Sequence, residues 1–123
     1  MSEELWELPF PSSGLSNVGF QKLAGRSCAL ICNDGENTPV RLVFIGVAAF
    51  KCTYHRACTI EMLKTYDKLS DLGQTPWLDG IREQLSSFGD EVKALRHLMI
   101  YFDDGPCYEF ICQSFSIEAG DAI

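Results

Sequence analysis

The sequence predicts a single α+β domain, an antiparallel-rich sheet of four or five strands with one or two helices packed on it. Three observations lead there. Residues 40–54 concentrate Val, Ile, Phe, Thr and Tyr, side chains that fit a pleated, half-buried surface. Residues 95–102 and 107–117 have the same character and flank Asp103-Asp104-Gly105-Pro106, so they read as a hairpin closed by a tight turn. Thr75-Pro76 is a helix start, and Trp77, Leu78, Ile81 and Leu85 form an apolar stripe behind it. At 123 residues, 46% hydrophobic and 22% charged, the chain can bury one core without obligatory metals or disulfides, and it is too short for two domains.

Taken in order, residues 1–17 hold two prolines in Pro9-Phe10-Pro11 and then Ser12-Ser13-Gly14, which predicts an irregular or extended lead-in pinned by Trp6 and Phe10. Residues 27–32 form a short strand closed by the turn signal Asn33-Asp34-Gly35. Residues 42–47 are apolar on both faces, the mark of a central strand covered on each side. Gly46 and Ala48-Ala49 mark a bend or a close approach of another backbone. Across 57–72 two readings stay open: Ile60, Leu63, Tyr66 and Leu69 suit a short helix, while the alternation at 68–72 suits an edge strand. The helix over 75–86 stops near Gly89. In the closing hairpin, Leu98, Ile100 and Phe102 alternate with His97, Met99 and Tyr101, and residues 118–123 form a frayed tail.

Seventeen acidic and ten basic side chains give a formal charge of −7. Residues 1–60 are balanced at five of each, so the whole excess lies in 61–123, with twelve acidic and five basic groups. The basic residues are scattered singly, which argues against a nucleic-acid footprint or an anionic membrane surface. The longest apolar run, 42–50, is nine residues, well short of the roughly 20 of a membrane-spanning helix. Glu3 and Glu4 stand where a secretory signal would be basic, so a cytoplasmic location is expected. The six cysteines are then expected to be reduced and mostly buried rather than bridged.

Tyr66-Asp67-Lys68-Leu69, Pro76-Trp77-Leu78, Arg96-His97-Leu98-Met99-Ile100-Tyr101-Phe102-Asp103 and Cys107-Tyr108-Glu109-Phe110 carry a resemblance to a family of small uncharacterised bacterial proteins. It covers residues 40–117. The resemblance implies a bacterial cytoplasmic origin and a single α+β domain, and it carries over no catalytic residue.

Several constellations bear on chemistry. Cys52-x2-His55-x2-Cys58 places three soft ligands within seven residues, and Cys107 or Cys112 would supply the fourth that tetrahedral zinc requires. Against it, no C-x2-C pair exists, and a cysteine in an apolar strand ordinarily packs as a small hydrophobe. Cys52, His55 and Cys58 are therefore weak metal candidates, and no cofactor is assigned. Cys58, His97 and Asp103 or Asp104 can be drawn as nucleophile, base and orienting acid, with nothing in the sequence to bring them together. Asp103, Asp104 and Glu109 converge near one turn, although Asp-Asp-Gly-Pro is also what a tight turn wants. No phosphate-binding glycine loop, G-x-S-x-G or H-E-x-x-H occurs.

These features favour a protein-interaction module, immunity-like in its use of an acidic face against a basic partner, with Asp103, Asp104, Glu109 and Trp77 as the contact residues. The alternative is a small-molecule or metal-binding protein, an enzyme among the options, that uses the cysteine and histidine set of Cys52, His55, Cys58 and His97. Homodimerisation by strand addition is a further possibility.

Overall fold

The computed structural model describes residues 3–15, 17–33, 35, 38–89, 95–103 and 106–119. Nine strands lie among them: β1 (Glu3–Glu7), β2 (Asn17–Leu23), β3 (Ser27–Asn33), β4 (Val40–Ile45), β5 (Ala49–Thr53), β6 (Lys68–Asp71), β7 (Arg96–Tyr101), β8 (Cys107–Cys112) and β9 (Ser114–Ala119). Two helices, α1 (Ile60–Leu63) and α2 (Pro76–Ser86), and two single 3-10 turns, Ser12–Gly14 and His55–Ala57, complete the described elements. The strands form a five-stranded sheet in the order β1-β6-β7-β8-β5 and a four-stranded sheet in the order β2-β3-β4-β9, all neighbours antiparallel. The architecture is thus mainly β. The expected antiparallel sheet with helices is present, but the strand-rich half is doubled, because two of the predicted strands each divide between two sheets.

Residues 40–54 make β4 in one sheet and β5 in the other, and residues 107–117, expected as one strand, make β8 and the start of β9. The two breaks are neighbours. β4 pairs with β9 up to Ile45 opposite Ser114, and pairing resumes between β5 and β8 at Ala49 opposite Ile111. Three residues on one chain thus face two on the other, the extra residue of a bulge, which bends a paired ribbon. The corner is held by hydrogen bonds from Gln113 N–H to the Ile45 carbonyl (3.0 Å) and from Ala48 N–H to the Ile111 carbonyl (2.8 Å). Gly46 takes φ +67°, and a Cβ there would lie 2.7 Å from the Gln113 side chain. The expected bend at Gly46 is present, and the close neighbour is a side chain rather than another backbone.

The main core lies between the sheets. Phe44 and Phe110 stack with ring centroids 3.9 Å apart, and Leu30, Leu42, Leu69, Leu98, Ile100 and Cys112 are fully buried around them. Two smaller clusters cover the outer face of the five-stranded sheet. Leu78, Trp77, Ile81 and Leu85 of α2 pack on Ile111, which confirms the expected stripe, and Met62 and Cys58 pack on Met99, Tyr101 and Cys107. Covered on both faces, β8 is buried at all six positions. Across 57–72 a one-turn helix, α1, precedes a strand, β6; the strand is not the expected edge, since it lies between β1 and β7, and the helix holds only Ile60 and Leu63 of the expected stripe, both exposed.

The termini are more ordered than expected. Glu3–Glu7 is extended rather than irregular and pairs with β6, Trp6 lying opposite Leu69. The rest of the lead-in is tied down by polar bonds: Leu8 N–H to the Asp67 carbonyl (2.8 Å), Ser12 N–H to Asp67 Oδ2 (3.1 Å) and Asp103 N–H to Ser12 Oγ (2.8 Å). Trp6 and Phe10 pack on the core as expected. Glu118 and Ala119 are not frayed; both belong to β9, where Glu118 pairs with Arg41 at 3.0 Å, while the remainder of the expected tail, 120–123, lies outside the described residues.

Gly46→Ala should cost about 1–3 kcal/mol in urea denaturation, part from the left-handed backbone and part from the contact with Gln113. Gly46→Ala combined with Gln113→Ala should recover the contact and retain about 1 kcal/mol of backbone cost.

Candidate functional site

Strand alternation places His97, Met99 and Tyr101 of β7, Cys107, Glu109 and Ile111 of β8, and Lys51 of β5 on the outer face of the five-stranded sheet. The N-terminus of α2 comes down on that face, where Thr75 caps the helix by accepting a hydrogen bond from Leu78 N–H (3.2 Å). The same hydroxyl lies 2.8 Å from His97 Nδ1, and His97 Nε2 lies 2.9 Å from Glu109 Oε1. With Nε2–H donating to the carboxylate and Nδ1 accepting the threonine O–H, every polar atom of the imidazole is satisfied in its neutral form. Trp77 stands edge-on to the ring at 5.1 Å, and Lys51 Nζ lies 4.0 Å from the centre of Trp77, a cation–π contact that closes the row.

A hydroxyl, an imidazole and a carboxylate in line is the arrangement that activates a nucleophile. Here it is built differently. His97 and Glu109 are each only 4% exposed, and Thr75 already spends an acceptor position on the helix cap. The row therefore couples α2 to the sheet and gives a substrate no approach to the imidazole. Glu109 Oε2 is buried without a hydrogen-bond partner among the described residues.

The expected contact residues are not brought together. Glu109 is not on an acidic surface: its neighbours Tyr108 and Phe110 point into the main core, so alternation turns it to the outer face, beneath the helices. Trp77 is half-buried against α2's cluster. Asp103 is exposed and accepts a hydrogen bond from Tyr66 Oη (3.3 Å), and Asp104 lies outside the described residues. The metal candidates also go separate ways. Cys52 is exposed on β5 opposite Tyr108, His55 Nδ1 meets Tyr101 Oη at 2.5 Å, and Cys58 Sγ points at the Thr53 and Tyr54 carbonyls at 3.6 Å. Among the described residues no three His, Cys, Asp or Glu side chains are placed to hold a metal ion.

The row of Thr75, His97 and Glu109 had a signal in the sequence that the reading of single motifs passed over. A hairpin closing at 103–106 sets residue 99 opposite 109 and 97 opposite 111, so the lone histidine of one apolar strand and the lone acid of the other fall on one face as diagonal neighbours.

All six thiols are shifted upward by loss of solvation, Cys32 and Cys112 to about 12 and Cys107 higher still. Separately, a cleft of about 470 Å³ opens where the β2–β3 hairpin meets the corner between β4 and β5. Among the described residues no helix is long and apolar enough to cross a membrane. No family model, curated protein or solved structure matches the chain.

Glu109→Ala should destabilise the protein by about 2–4 kcal/mol by leaving the buried Nε2–H of His97 unpaired, whereas Glu109→Gln, which keeps an acceptor, should cost roughly half as much in the same denaturation assay. The thiols set an alkaline limit. The unfolded chain releases their protons near 9.0, whereas folded Cys32 and Cys112 hold theirs to about 12, so above 9.0 the folded state binds more protons and stability falls as pH rises. The unfolding free energy from urea denaturation should drop above this point, by up to about 1.4 kcal/mol per pH unit for each buried thiol. In the native protein iodoacetamide should modify Cys52 and Cys58, with Cys28, Cys32, Cys107 and Cys112 reacting only in denaturant.

Proposed function

We propose that the protein is an interaction module that works by contact with another protein, through the surface built by residues 54–66. One observation carries the reading. Among the eight exposed large apolar side chains of the described residues, Tyr54 (74% exposed), Ile60 (74%), Leu63 and Tyr66 fall within this single excursion between β5 and β6. Exposed apolar and tyrosine side chains gathered in one place are the composition of a protein-contact surface, with tyrosine frequent among its anchors. The excursion is held from beneath, which keeps the ordering cost of binding low. His55 and Tyr66, near its two ends, both lie against the ring of Tyr101, and Cys58 and Met62 pack into the cluster of Met99 and Cys107.

Glu61, paired with Lys64 at 3.5 Å, and the Tyr66-bonded Asp103 are matched by Arg56 and Lys64, so charges of both signs surround the apolar side chains. That composition suits a partner with an apolar centre and charges of both signs around it. The alternative built on Cys52, His55 and Cys58 has less support, because the three side chains do not converge.

Native mass spectrometry of the tagged chain recovered from its own cells is the test, run on the wild type and on Tyr54→Ser with Ile60→Asp. The expected outcome is a companion polypeptide at fixed stoichiometry with the wild type and about tenfold less of it with the variant, at unchanged melting temperature. Recovery of the wild type as a bare monomer or homodimer, or equal retention of the companion by the variant, overturns the reading.

A further inference from the structure

The cleft at the corner is a separate feature, containing no residue of the 54–66 excursion. Its volume of about 470 Å³ lies within the range of roughly 300–1,000 Å³ of small-molecule sites. Leu23, Val47 and Phe50 line it with apolar surface, Phe50 being 44% exposed and braced by Phe20 at 4.9 Å between ring centroids. Lys22 and Arg26 line it with positive charge, and Ser27 adds a hydroxyl.

Two facts set these cations apart. Among the described residues Arg41, Lys64, Lys68 and Arg96 each have a carboxylate partner, whereas Lys22, Arg26, Lys51, Arg56 and Arg82 have none, and of those five it is Lys22 and Arg26 that stand together at this cleft. Second, the β2–β3 turn holds Arg26 in the left-handed region, at φ 59°, directly after Gly25 at φ 69°. A long side chain at such a position is uncommon and is a pointer to function. The walls are also preformed: the Arg26 carbonyl accepts from Val47 N–H at 2.8 Å, which joins the hairpin to the sheet corner across the base of the cleft.

We propose that this cleft binds a small amphipathic carboxylate, its anionic head held by Lys22 and Arg26 and its apolar body laid against Val47 and Phe50. The charge alone would suit any small anion and the apolar wall any small oil, but the two together select a ligand with both. Guanidinium and ammonium donors pair strongly with a carboxylate, and removal of either leaves that head group with one cation.

Octanoate is the probe, with acetate as the anion without the body and octanol as the body without the anion. Two-dimensional NMR titration of the full chain should show saturable shifts at Leu23, Val47 and Phe50 with octanoate, weaker at high salt, and none of comparable affinity with the other two. Arg26→Gly keeps the left-handed turn in the residue best suited to it, so it should fold at least as well as the wild type while lowering octanoate affinity about tenfold, as should Lys22→Met. Absence of saturable binding at millimolar octanoate overturns the proposal, as does equal affinity for acetate or octanol, or octanoate affinity unchanged in both variants.

Discussion

The rest of the molecule depends on the corner at which two paired strands leave one sheet together and enter the other. β4 and β9 are neighbours in the four-stranded sheet, and their chain continuations β5 and β8 are neighbours in the five-stranded one. Neither sheet can slide over the other without breaking that ribbon, so its bend sets how the two inner faces meet. Phe44 lies two residues before the turn at Gly46, and Phe110 three before Gln113, and the corner brings their rings into the stack at the centre of the core. The bend needs a residue that accepts a positive φ and offers no Cβ to Gln113, and glycine alone meets both demands.

The second constraint is polar. On its outer face the five-stranded sheet offers helix α2 an apolar cluster around Ile111, which rewards contact without fixing where the helix begins. The Thr75 hydroxyl, bonded to both Leu78 N–H and His97, ties the first turn of α2 to one position on β7. Arg82 adds a second tie further along, donating to the Leu95 carbonyl at 2.9 Å. A buried imidazole and carboxylate contribute little net stability over an apolar pair, but their directional bonds hold one arrangement of helix on sheet.

The charge pattern acquires a spatial meaning in this framework. β1 forms an edge of the five-stranded sheet and carries Glu3, Glu4 and Glu7, so a second copy offering its own β1 edge would meet like charge. The exposed apolar side chains of 54–66 lie instead on the excursion between β5 and β6, outside the named strands. Contact through that surface engages side chains rather than open strand edges.

Local sequence determined much of this protein. Thr75-Pro76 and the stripe behind it placed α2, the turn chemistry at 103–106 paired β7 with β8, β-branched and aromatic density marked β4 and β8, and a short apolar run closed by a turn signal marked β3. These are interactions within a few residues or across one tight turn, and they leave a periodic trace. β1 and β2 left none, since Glu3–Glu7 and Asn17–Leu23 are strands only because β6 and β3 offer them partners. The division of 40–54 and of 107–117 between two sheets, the burial of Glu109 and the failure of Cys52, His55 and Cys58 to form a metal-binding set were likewise decided by tertiary structure. Each follows from which face of a strand is covered and by what, and such faces are assembled from segments far apart in the chain.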